Sequence, residues 1–281
     1  MLRVNEGVMS MKKKLMKLLV ILVAVLVGLF AILFFGLKIY LKIDDNKKLE
    51  EPGNAVRYSV ENAPVVTDSP LAGKRILFLG SSVTYGSAAQ GNSFADYLGK
   101  TDGVIVTKEA VSATTLVDDF SILPFLMAGN GDSYVTRLQQ VDKDAHFDAV
   151  VVQLSTNDAT MKKELGKVSN GFESADFDTK TVTGAMEFII WYAQETWNCP
   201  VIFYTGSYYE SAEYSAMVSR LLELQEKWDI GVIDLYNDAD LNNIGAETYG
   251  FYMYDKIHPT KAGYLEWWLP VIQAYLNDFI G

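Results

Sequence analysis

The sequence contains a single cysteine, Cys199, and only two histidines, His146 and His258, among 281 residues. One thiol excludes an intramolecular disulfide framework and any zinc site built from several thiolates. Two histidines leave little material for a histidine-rich metal centre, so we expect no metal and no cofactor. If an imidazole acts as a general base, it belongs to one of these two residues. Positive charge is also scarce, because a net charge of −11 lacks the basic face that non-specific nucleic-acid binding needs.

The negative charge is unevenly distributed along the chain. Residues 1–48 contain nine Lys/Arg and three Asp/Glu, a net charge of +6, and the remaining 233 residues carry a net charge of −17. Within the basic segment, residues 18–37 form a run of twenty residues without any charge. As a helix this run is about 30 Å long, which is enough to cross the hydrocarbon core of a bilayer. The pattern predicts a transmembrane anchor.

A cleaved signal peptide is the alternative interpretation of this run. Its apolar region is shorter, roughly 7–15 residues, and ends at a small-x-small cleavage site. Here Leu37-Lys38-Ile39-Tyr40 follows the run, so we favour an uncleaved anchor. The positive-inside rule predicts a cytoplasmic N-terminus and an extracytoplasmic C-terminal domain at the cell membrane. The predicted organisation is a basic tail (1–17), an anchor (18–37), a juxtamembrane stalk (38–73) and one catalytic domain (74–281).

The region from residue 74 onward alternates short β-branched apolar runs with longer helical patterns. We predict strands at residues 75–80, 103–107, 148–154, 200–205 and 231–235. Helices are predicted at residues 181–197, 212–228 and 259–279, with Pro259 in the first turn of the last one. Continuous apolar strands alternating with helices are typical of a parallel sheet covered on both faces. Ligands of such sheets bind beyond the carboxyl ends of the strands.

Three segments near predicted strand ends or helix starts carry polar side chains suited to acyl transfer. Gly80-Ser81-Ser82 follows the first strand, where a serine on a sharp strand-to-helix turn can present its hydroxyl near backbone N–H groups. Asn157 follows the third strand and can aim its amide at the same region. Asp255 and His258 precede the last helix, and their spacing lets the carboxylate reach Nδ1 of the imidazole. Nε2 would then be free to accept the serine proton.

This order of residues resembles the SGNH, or GDSL-type, esterase/lipase family from about residue 74 to the C-terminus. Gly80-Ser81-Ser82-Val83-Thr84 is similar to the family's first block, Ser155-Thr156-Asn157-Asp158 to its third, and Asp255-x-x-His258-Pro259 with Gly263 to its fifth. The resemblance implies a flavodoxin-like three-layer α/β/α sandwich. It implies Ser82 as the nucleophile, His258 as the base and Asp255 as the acid. Ser81 would be the nucleophile only if the register were shifted by one residue.

The same resemblance implies an oxyanion hole formed by the N–H groups of Ser82 and Ala113 and the side chain of Asn157. Three positions depart from the family pattern. Ser81 replaces an aspartate of the first block, Ala113 stands where the second block has glycine, and Ser155 replaces a glycine of the third. None of these departures removes a reacting group. A main-chain N–H survives the change from glycine to alanine if the backbone angle φ tolerates a Cβ atom.

We therefore expect an extracytoplasmic serine esterase that removes small acyl groups, such as acetyl, from carbohydrate. The alternatives are an O-acyltransferase acting on a cell-surface glycan, a lipase or lysophospholipase, and a catalytically silent glycan-binding module. Expected partners are an acylated small molecule or carbohydrate and the membrane, but not nucleic acid. Tyrosines and a phenylalanine follow the fourth strand or precede the fifth block, where they stack on sugar rings or pack in the core; they are Tyr208, Tyr209, Tyr214, Tyr249, Phe251, Tyr252 and Tyr254. We interpret His146 as a turn residue and Cys199 as a core residue.

Overall fold

The computed structural model describes the backbone of residues 2–281 and the side chains from residue 11 onward. The chain divides into two compact units, Met1–Lys47 and Lys48–Gly281. Most of helix α1 (Leu2–Glu50) lies in the first unit. Its segment from residue 11 onward is the one described helix whose length and composition would allow it to cross a membrane.

The second unit is built on a five-stranded sheet. The strands are β1 (Arg75–Gly80), β2 (Ile105–Ala110), β3 (Ala149–Gln153), β4 (Val201–Tyr204) and β5 (Gly231–Ile233). All neighbouring strands pair in parallel, in the order β2-β1-β3-β4-β5. This is the flavodoxin-like order, in which the chain direction across the sheet reverses between β1 and β3. The predicted fold class is confirmed.

Ten further helices accompany the sheet. They are α2 (Ser82–Tyr85), α3 (Phe94–Asp102), α4 (Ile122–Ala128), α5 (Tyr134–Gln140), α6 (Thr156–Thr160), α7 (Val182–Trp197), α8 (Ala212–Trp228), α9 (Ala239–Asn242), α10 (Ala246–Tyr252) and α11 (Leu269–Ile280). A π-helical turn (Gly263–Trp268) directly precedes α11.

Two apolar cores lie on opposite faces of the sheet, because successive side chains of a strand point in opposite directions. Leu77 and Leu79 of β1 pack in one core with α5, α7 and α8. Ile76 and Phe78 of the same strand pack in the other core with α3 and α11. Both faces of the sheet are therefore covered, which gives three layers and leaves the carboxyl ends of the strands as the accessible edge.

The predicted stalk is divided between two structural elements. Helix α1 continues to Glu50, and three 3₁₀ turns follow it, at residues 52–54, 56–58 and 60–62. Asn54 is buried and donates hydrogen bonds to the Ala88 and Lys48 carbonyls at 2.7 Å, while its amide oxygen accepts from the main-chain N–H of Lys261. Leu71 is also fully buried. Residues after 50 are thus packed against the α/β unit through specific side-chain hydrogen bonds and apolar burial.

Two element boundaries differ from the prediction for local reasons. Gly103 has φ of 73° and caps the end of α3, so β2 begins at Ile105 and continues to Ala110. Pro259 forms a β-bridge with Met253 and does not lie in the first turn of the last helix. The prediction for Pro259 was wrong because the main-chain N–H of Thr260 bonds back to the Tyr252 carbonyl, which keeps this segment extended.

Candidate active site

The turn between β1 and α2 presents Ser82. Gly80 ends the strand, and a Cβ atom at this position would lie 1.7 Å from Oγ1 of Thr84, so only glycine fits. Ser82 is the first residue of α2, and its main-chain N–H therefore has no acceptor within the helix. The turn lies between β1 and β3, where the order of the strands across the sheet changes direction. Doubly wound folds bind their ligands at this point.

The side chain of Gln153, at the end of β3, makes hydrogen bonds to this turn. Its Oε1 accepts hydrogen bonds from the main-chain N–H groups of Ser81 (3.0 Å) and Thr84 (3.1 Å) and from the Thr84 hydroxyl (2.8 Å). Its Nε2 donates to Oγ of Ser81 at 3.3 Å. A buried amide with these partners fixes the backbone on both sides of Ser82, because releasing it would leave several polar groups unpaired.

Asp255 and His258 lie on one tight turn that faces Ser82. Nε2 of His258 is 2.8 Å from Oγ of Ser82, and Nδ1 is 2.8 Å and 3.0 Å from the two carboxylate oxygens of Asp255. Oδ1 of Asp255 also accepts the main-chain N–H groups of Ile257 (2.7 Å) and His258 (2.8 Å). The carboxylate favours a proton on Nδ1, which leaves Nε2 as an acceptor for the serine hydroxyl.

The environment of Asp255 keeps its carboxyl group ionised. Desolvation by itself would raise the pKa of Asp255. The hydrogen bond and positive charge of His258, together with the N–H groups of Ile257 and His258, outweigh desolvation and lower this pKa below the ordinary aspartate value. The turn is therefore suited to stabilise an imidazolium at His258.

Asn157 lies in the first turn of α6, just after β3, and Ala113 lies on the loop that follows β2. Nδ2 of Asn157 donates to Oγ of Ser81 at 3.1 Å and to the Thr114 carbonyl at 2.8 Å. Both amide hydrogens thus have acceptors, and one acceptor is the hydroxyl of the residue next to Ser82. Ala113 adopts a left-handed backbone with φ of 64°, a conformation that a Cβ atom disfavours. Asn157 is therefore bonded to the serine turn through Ser81, and Ala113 is the residue before Thr114, whose carbonyl also accepts from Asn157.

Two buried charged residues support the loop that contains Ala113. Arg137, with only 1% of its surface exposed, donates to the carbonyls of Gly80 (2.7 Å) and Glu109 (2.6 Å) and to the Thr114 hydroxyl (3.2 Å). Asp158 accepts the main-chain N–H groups of Leu116 (2.8 Å) and Val117 (3.2 Å). Burial raises the pKa of Asp158, and these hydrogen bonds oppose that effect.

Two cavities adjoin the Asp255–His258 turn. A recess of about 10 Å³ is lined by residues that include Val83, Thr156, Ser207, Tyr209 and Ile257. A wider cavity of about 480 Å³ is lined by Tyr208, Tyr209, Glu210, Asn242, Tyr249 and Lys256. Tyr209 and Lys256 line both. The two cavities therefore adjoin at these two residues, and together they are called the cleft.

The aromatic residues predicted to stack on sugar rings or to pack in the core differ in their surroundings. Tyr208 is 52% exposed and lines the wider cavity with Tyr249 and the buried Tyr209. Tyr214 is fully buried, and its hydroxyl bonds the main chain of Gly206 and Leu154. Phe251, Tyr252 and Tyr254 are partly exposed, and the Phe251 ring packs edge-on against Tyr58. Stacking on a ligand is thus open to Tyr208 and Tyr249, whereas Tyr214 is a core residue.

The sequence profile of the GDSL-like lipase/acylhydrolase family matches residues 76–268. The chain belongs to this family. It is therefore a serine hydrolase, as the motifs predicted. Curated protein sequences give no match.

Solved structures of other proteins have a similar fold. A protein from Lactobacillus plantarum is 21% identical, with a TM-score of 0.55 over 74% of this chain and 96% of its own. A candidate GDSL-like lipase from Bacteroides ovatus is 16% identical, with a TM-score of 0.52 over 74% of this chain and 99% of its own. A further crystal structure is 24% identical, with a TM-score of 0.60 over 76% of this chain and all of its own. These likenesses show the fold.

Within this GDSL-like hydrolase, sequence reasoning missed three residues that shape the site. Gln153 stands out as a polar side chain at the end of an otherwise apolar strand, and that contrast could have marked it. Arg137 and Ser207 carry no such local signal, because their partners and surroundings come from distant segments. The other histidine, His146, is exposed and 3.9 Å from Asp148, and Cys199 is buried. Neither belongs to the cleft.

Proposed function

We propose that this protein is a membrane-anchored, extracytoplasmic serine esterase that removes small acyl groups, such as acetyl, from carbohydrate. The observation that carries the proposal is the 2.8 Å contact between Oγ of Ser82 and Nε2 of His258, with Asp255 on the other side of the ring. A nucleophile, a base and an orienting acid in one hydrogen-bonded line are the machinery of acyl transfer.

The reaction begins when Oγ of Ser82 attacks the ester carbonyl carbon while its proton passes to Nε2 of His258. The tetrahedral intermediate then expels the sugar oxygen, which takes that proton, and the acyl group remains on Ser82. Water attacks the acyl-serine with His258 again as the base, which releases the carboxylic acid and restores the serine. Asp255 stays ionised throughout and stabilises the imidazolium, in keeping with its lowered pKa.

The negative oxygen of the intermediate would be bound by the N–H groups of Ser82 and Ala113 and by the amide of Asn157. Asn157 donates to the neutral hydroxyl of Ser81 at 3.1 Å. A charged oxygen is a stronger acceptor than a hydroxyl, so the intermediate can displace Ser81 as the partner of this amide. Asn157 would then contribute more to the transition state than to the bound substrate, which is the condition for raising kcat.

The composition of the wider cavity favours carbohydrate over a lipid tail. Its lining combines tyrosine rings with an amide, a carboxylate and an ammonium group. Tyrosine offers an apolar face with a polar tip, which suits a sugar ring, whereas an alkyl chain would displace water from the polar groups of this lining without replacing its hydrogen bonds. The chain-length preference of the enzyme distinguishes a short-acyl esterase from a lipase.

Two features support the location. The basic residues flank an uncharged run of twenty residues, and helix α1 has the length and composition of a membrane span. The positive-inside rule then orients the catalytic unit outward. Protease added to intact cells should degrade the catalytic unit, and protection of that unit would contradict this topology.

The activity is tested with the full-length protein in detergent. We expect hydrolysis of 4-nitrophenyl acetate to exceed that of the dodecanoate, and release of acetate from acetylated sugars. Ser82→Ala and His258→Ala should abolish the reaction, whereas Ser81→Ala, the neighbouring serine, should retain it. Full activity of Ser82→Ala would exclude the proposed nucleophile. Transfer of acetyl to an added acceptor sugar in preference to water would indicate an O-acyltransferase instead.

A further inference from the structure

The recess beside the serine turn is small. Its volume of about 10 Å³ gives room for one water-sized group. Val83 follows Ser82, Thr156 precedes Asn157 and Ile257 precedes His258, so the recess touches all three segments of the candidate site. A group bound there would belong to a substrate whose ester lies at Ser82.

Two hydroxyl groups on the wall of this recess lack hydrogen-bond partners. Oγ of Ser207 and the hydroxyl of Tyr209 are buried and make no hydrogen bond within the described part of the chain. The two residues are 2% and 7% exposed. The Ser211 hydroxyl is near enough to influence the pKa of Tyr209 but lies outside hydrogen-bonding geometry. Buried hydroxyls in native proteins are nearly always paired, so this pair points to a polar ligand group.

The surroundings of Tyr209 fix its ring in place. The ring lies 5.0 Å from that of Tyr214, and Nζ of Lys256 lies over it at 5.7 Å. The Tyr236 hydroxyl donates to the Tyr209 carbonyl at 3.3 Å. These contacts hold the Tyr209 side chain in the wall of the recess.

The recess adjoins the wider cavity at Tyr209 and Lys256, and the wider cavity has the dimensions of a small-ligand site. Tyr208 presents a half-exposed ring there, and its main-chain N–H donates to Oδ1 of Asn242 at 2.9 Å. Asn242 in turn donates to the carbonyls of Leu235 (2.8 Å) and Asp238 (2.7 Å). Hydrogen bonds thus hold the backbone at Tyr208 in place. Its ring lies next to Tyr209 and Lys256, the two residues that line both cavities.

We propose that this cleft is a sugar subsite in which Ser207 and Tyr209 bind one hydroxyl of the carbohydrate while its ring lies against Tyr208. A sugar hydroxyl donates one hydrogen bond and accepts two, so a single group can satisfy both residues. The proposal rests on the proposed esterase function and adds the residues that select the alcohol part of the ester. These residues determine specificity and take no part in bond making or breaking.

The test compares two esters that share the acetyl group. Full-length protein in detergent is assayed on 4-nitrophenyl acetate, which has no sugar hydroxyl, and on monoacetylated glucose and xylose by acetate release. We expect Ser207→Ala and Tyr209→Phe each to lower kcat/KM on the acetylated sugars about tenfold, because each removes one hydrogen-bond partner. The rate on 4-nitrophenyl acetate should stay within about twofold.

Tyr192→Phe is a matched control. Tyr192 is also 7% exposed and its hydroxyl is also buried without a partner, but it lies on α7 and lines neither cavity. We expect Tyr192→Phe to leave kcat/KM unchanged on both kinds of ester. Equal losses on both esters, or no loss on either, would overturn the subsite. If the wild type hydrolyses 4-nitrophenyl acetate but no acetylated sugar, the subsite proposal is overturned while the esterase proposal stands. If the wild type hydrolyses neither ester, the esterase proposal itself is wrong.

Discussion

Arg137 donates a 2.7 Å hydrogen bond from Nη2 to the carbonyl of Gly80, the last residue of β1 before the serine turn. The same guanidinium bonds the Glu109 carbonyl and the Thr114 hydroxyl, so one buried side chain ties the serine turn to the loop that contains Ala113. The planar fork of arginine reaches several acceptors at fixed angles, which a lysine ammonium cannot do.

Replacement of Arg137 should therefore damage both stability and catalysis. Arg137→Met removes the charged hydrogen-bond donor of the Gly80 and Glu109 carbonyls, at about 1–3 kcal/mol each, and Arg137→Lys should recover only part of this loss. We expect kcat on 4-nitrophenyl acetate to fall in the order wild type, Arg137→Lys, Arg137→Met, with KM nearly constant. Urea denaturation gives the stability and steady-state kinetics the rate.

Arg220 provides the comparison for that experiment. It bonds the Gly166 carbonyl and the Thr183 hydroxyl in a similar way, but outside the cleft. Arg220→Met should lower stability and leave kcat of the folded protein unchanged. If Arg137→Met keeps the wild-type kcat when folded, the residue has only a structural role.

The left-handed backbone at Ala113 predicts that, unlike the arginine substitutions, a change to glycine does not lower stability. At φ of 64° a Cβ atom costs about 1–2 kcal/mol, part of which glycine loses again through its greater chain entropy. Ala113→Gly should therefore match or exceed the wild-type stability, by up to about 1 kcal/mol, and keep full activity. Ala113→Val, with a branched Cβ, should lower both melting temperature and kcat. A loss of activity in the glycine variant would contradict the view that only the N–H of this residue is used.

The hydrogen bond between Asn157 and Ser81 can be broken from either side, with different consequences. Asn157→Ala removes the donor proposed for the oxyanion, and kcat should fall about 10²- to 10³-fold with little change in KM. Ser81→Ala removes only the competing acceptor and leaves Gln153 less well paired, so stability should fall while kcat remains within a few-fold. Equal losses of kcat in the two variants would show that the bond itself, and not the freed amide, matters.

Asp255→Asn should change the tautomer of His258. The amide oxygen would take the place of Oδ1, which accepts two main-chain N–H groups, and the amide nitrogen would then face Nδ1 as a donor. The proton would move to Nε2, which could no longer accept from Ser82. We expect kcat to fall roughly 10³- to 10⁴-fold. Steady-state kinetics measures this loss, and near-wild-type kcat would contradict the role assigned to Asp255.

The same substitution predicts a pH effect on stability. Because the folded-state pKa of Asp255 is lowered, its carboxylate stabilises the fold above about pH 4, and this contribution is lost as the pH falls below that value. The unfolding free energies of wild type and Asp255→Asn should therefore approach each other as the pH falls below about 4 and through the lowered pKa. Denaturation curves at several pH values measure this, and a gap that widens in acid would contradict the sign of the shift.

The sheet could be predicted from sequence because its strands are local signals. Runs such as Val150-Val151-Val152 are β-branched, apolar and bounded by polar residues, and the structure has strands at all five predicted places. The Asp255-x-x-His258 spacing is equally local. By contrast, Arg137 lies 57 positions from Gly80, and nothing in its own helix distinguishes it from a surface arginine. Ser207 also has no local signal, because only the three-dimensional structure shows that its hydroxyl is buried without a partner.

Asp255 and His258 are held by hydrogen bonds within a single four-residue turn, whereas Ser82 is 176 positions away in the chain. The alignment of the acid with the base therefore rests on contacts that are local in the chain. Only the approach to Ser82 requires the assembled sheet and its last helix. Partial unfolding on heating should thus abolish activity while the histidine–aspartate pair persists, which makes the serine–histidine contact the point at which thermal inactivation begins.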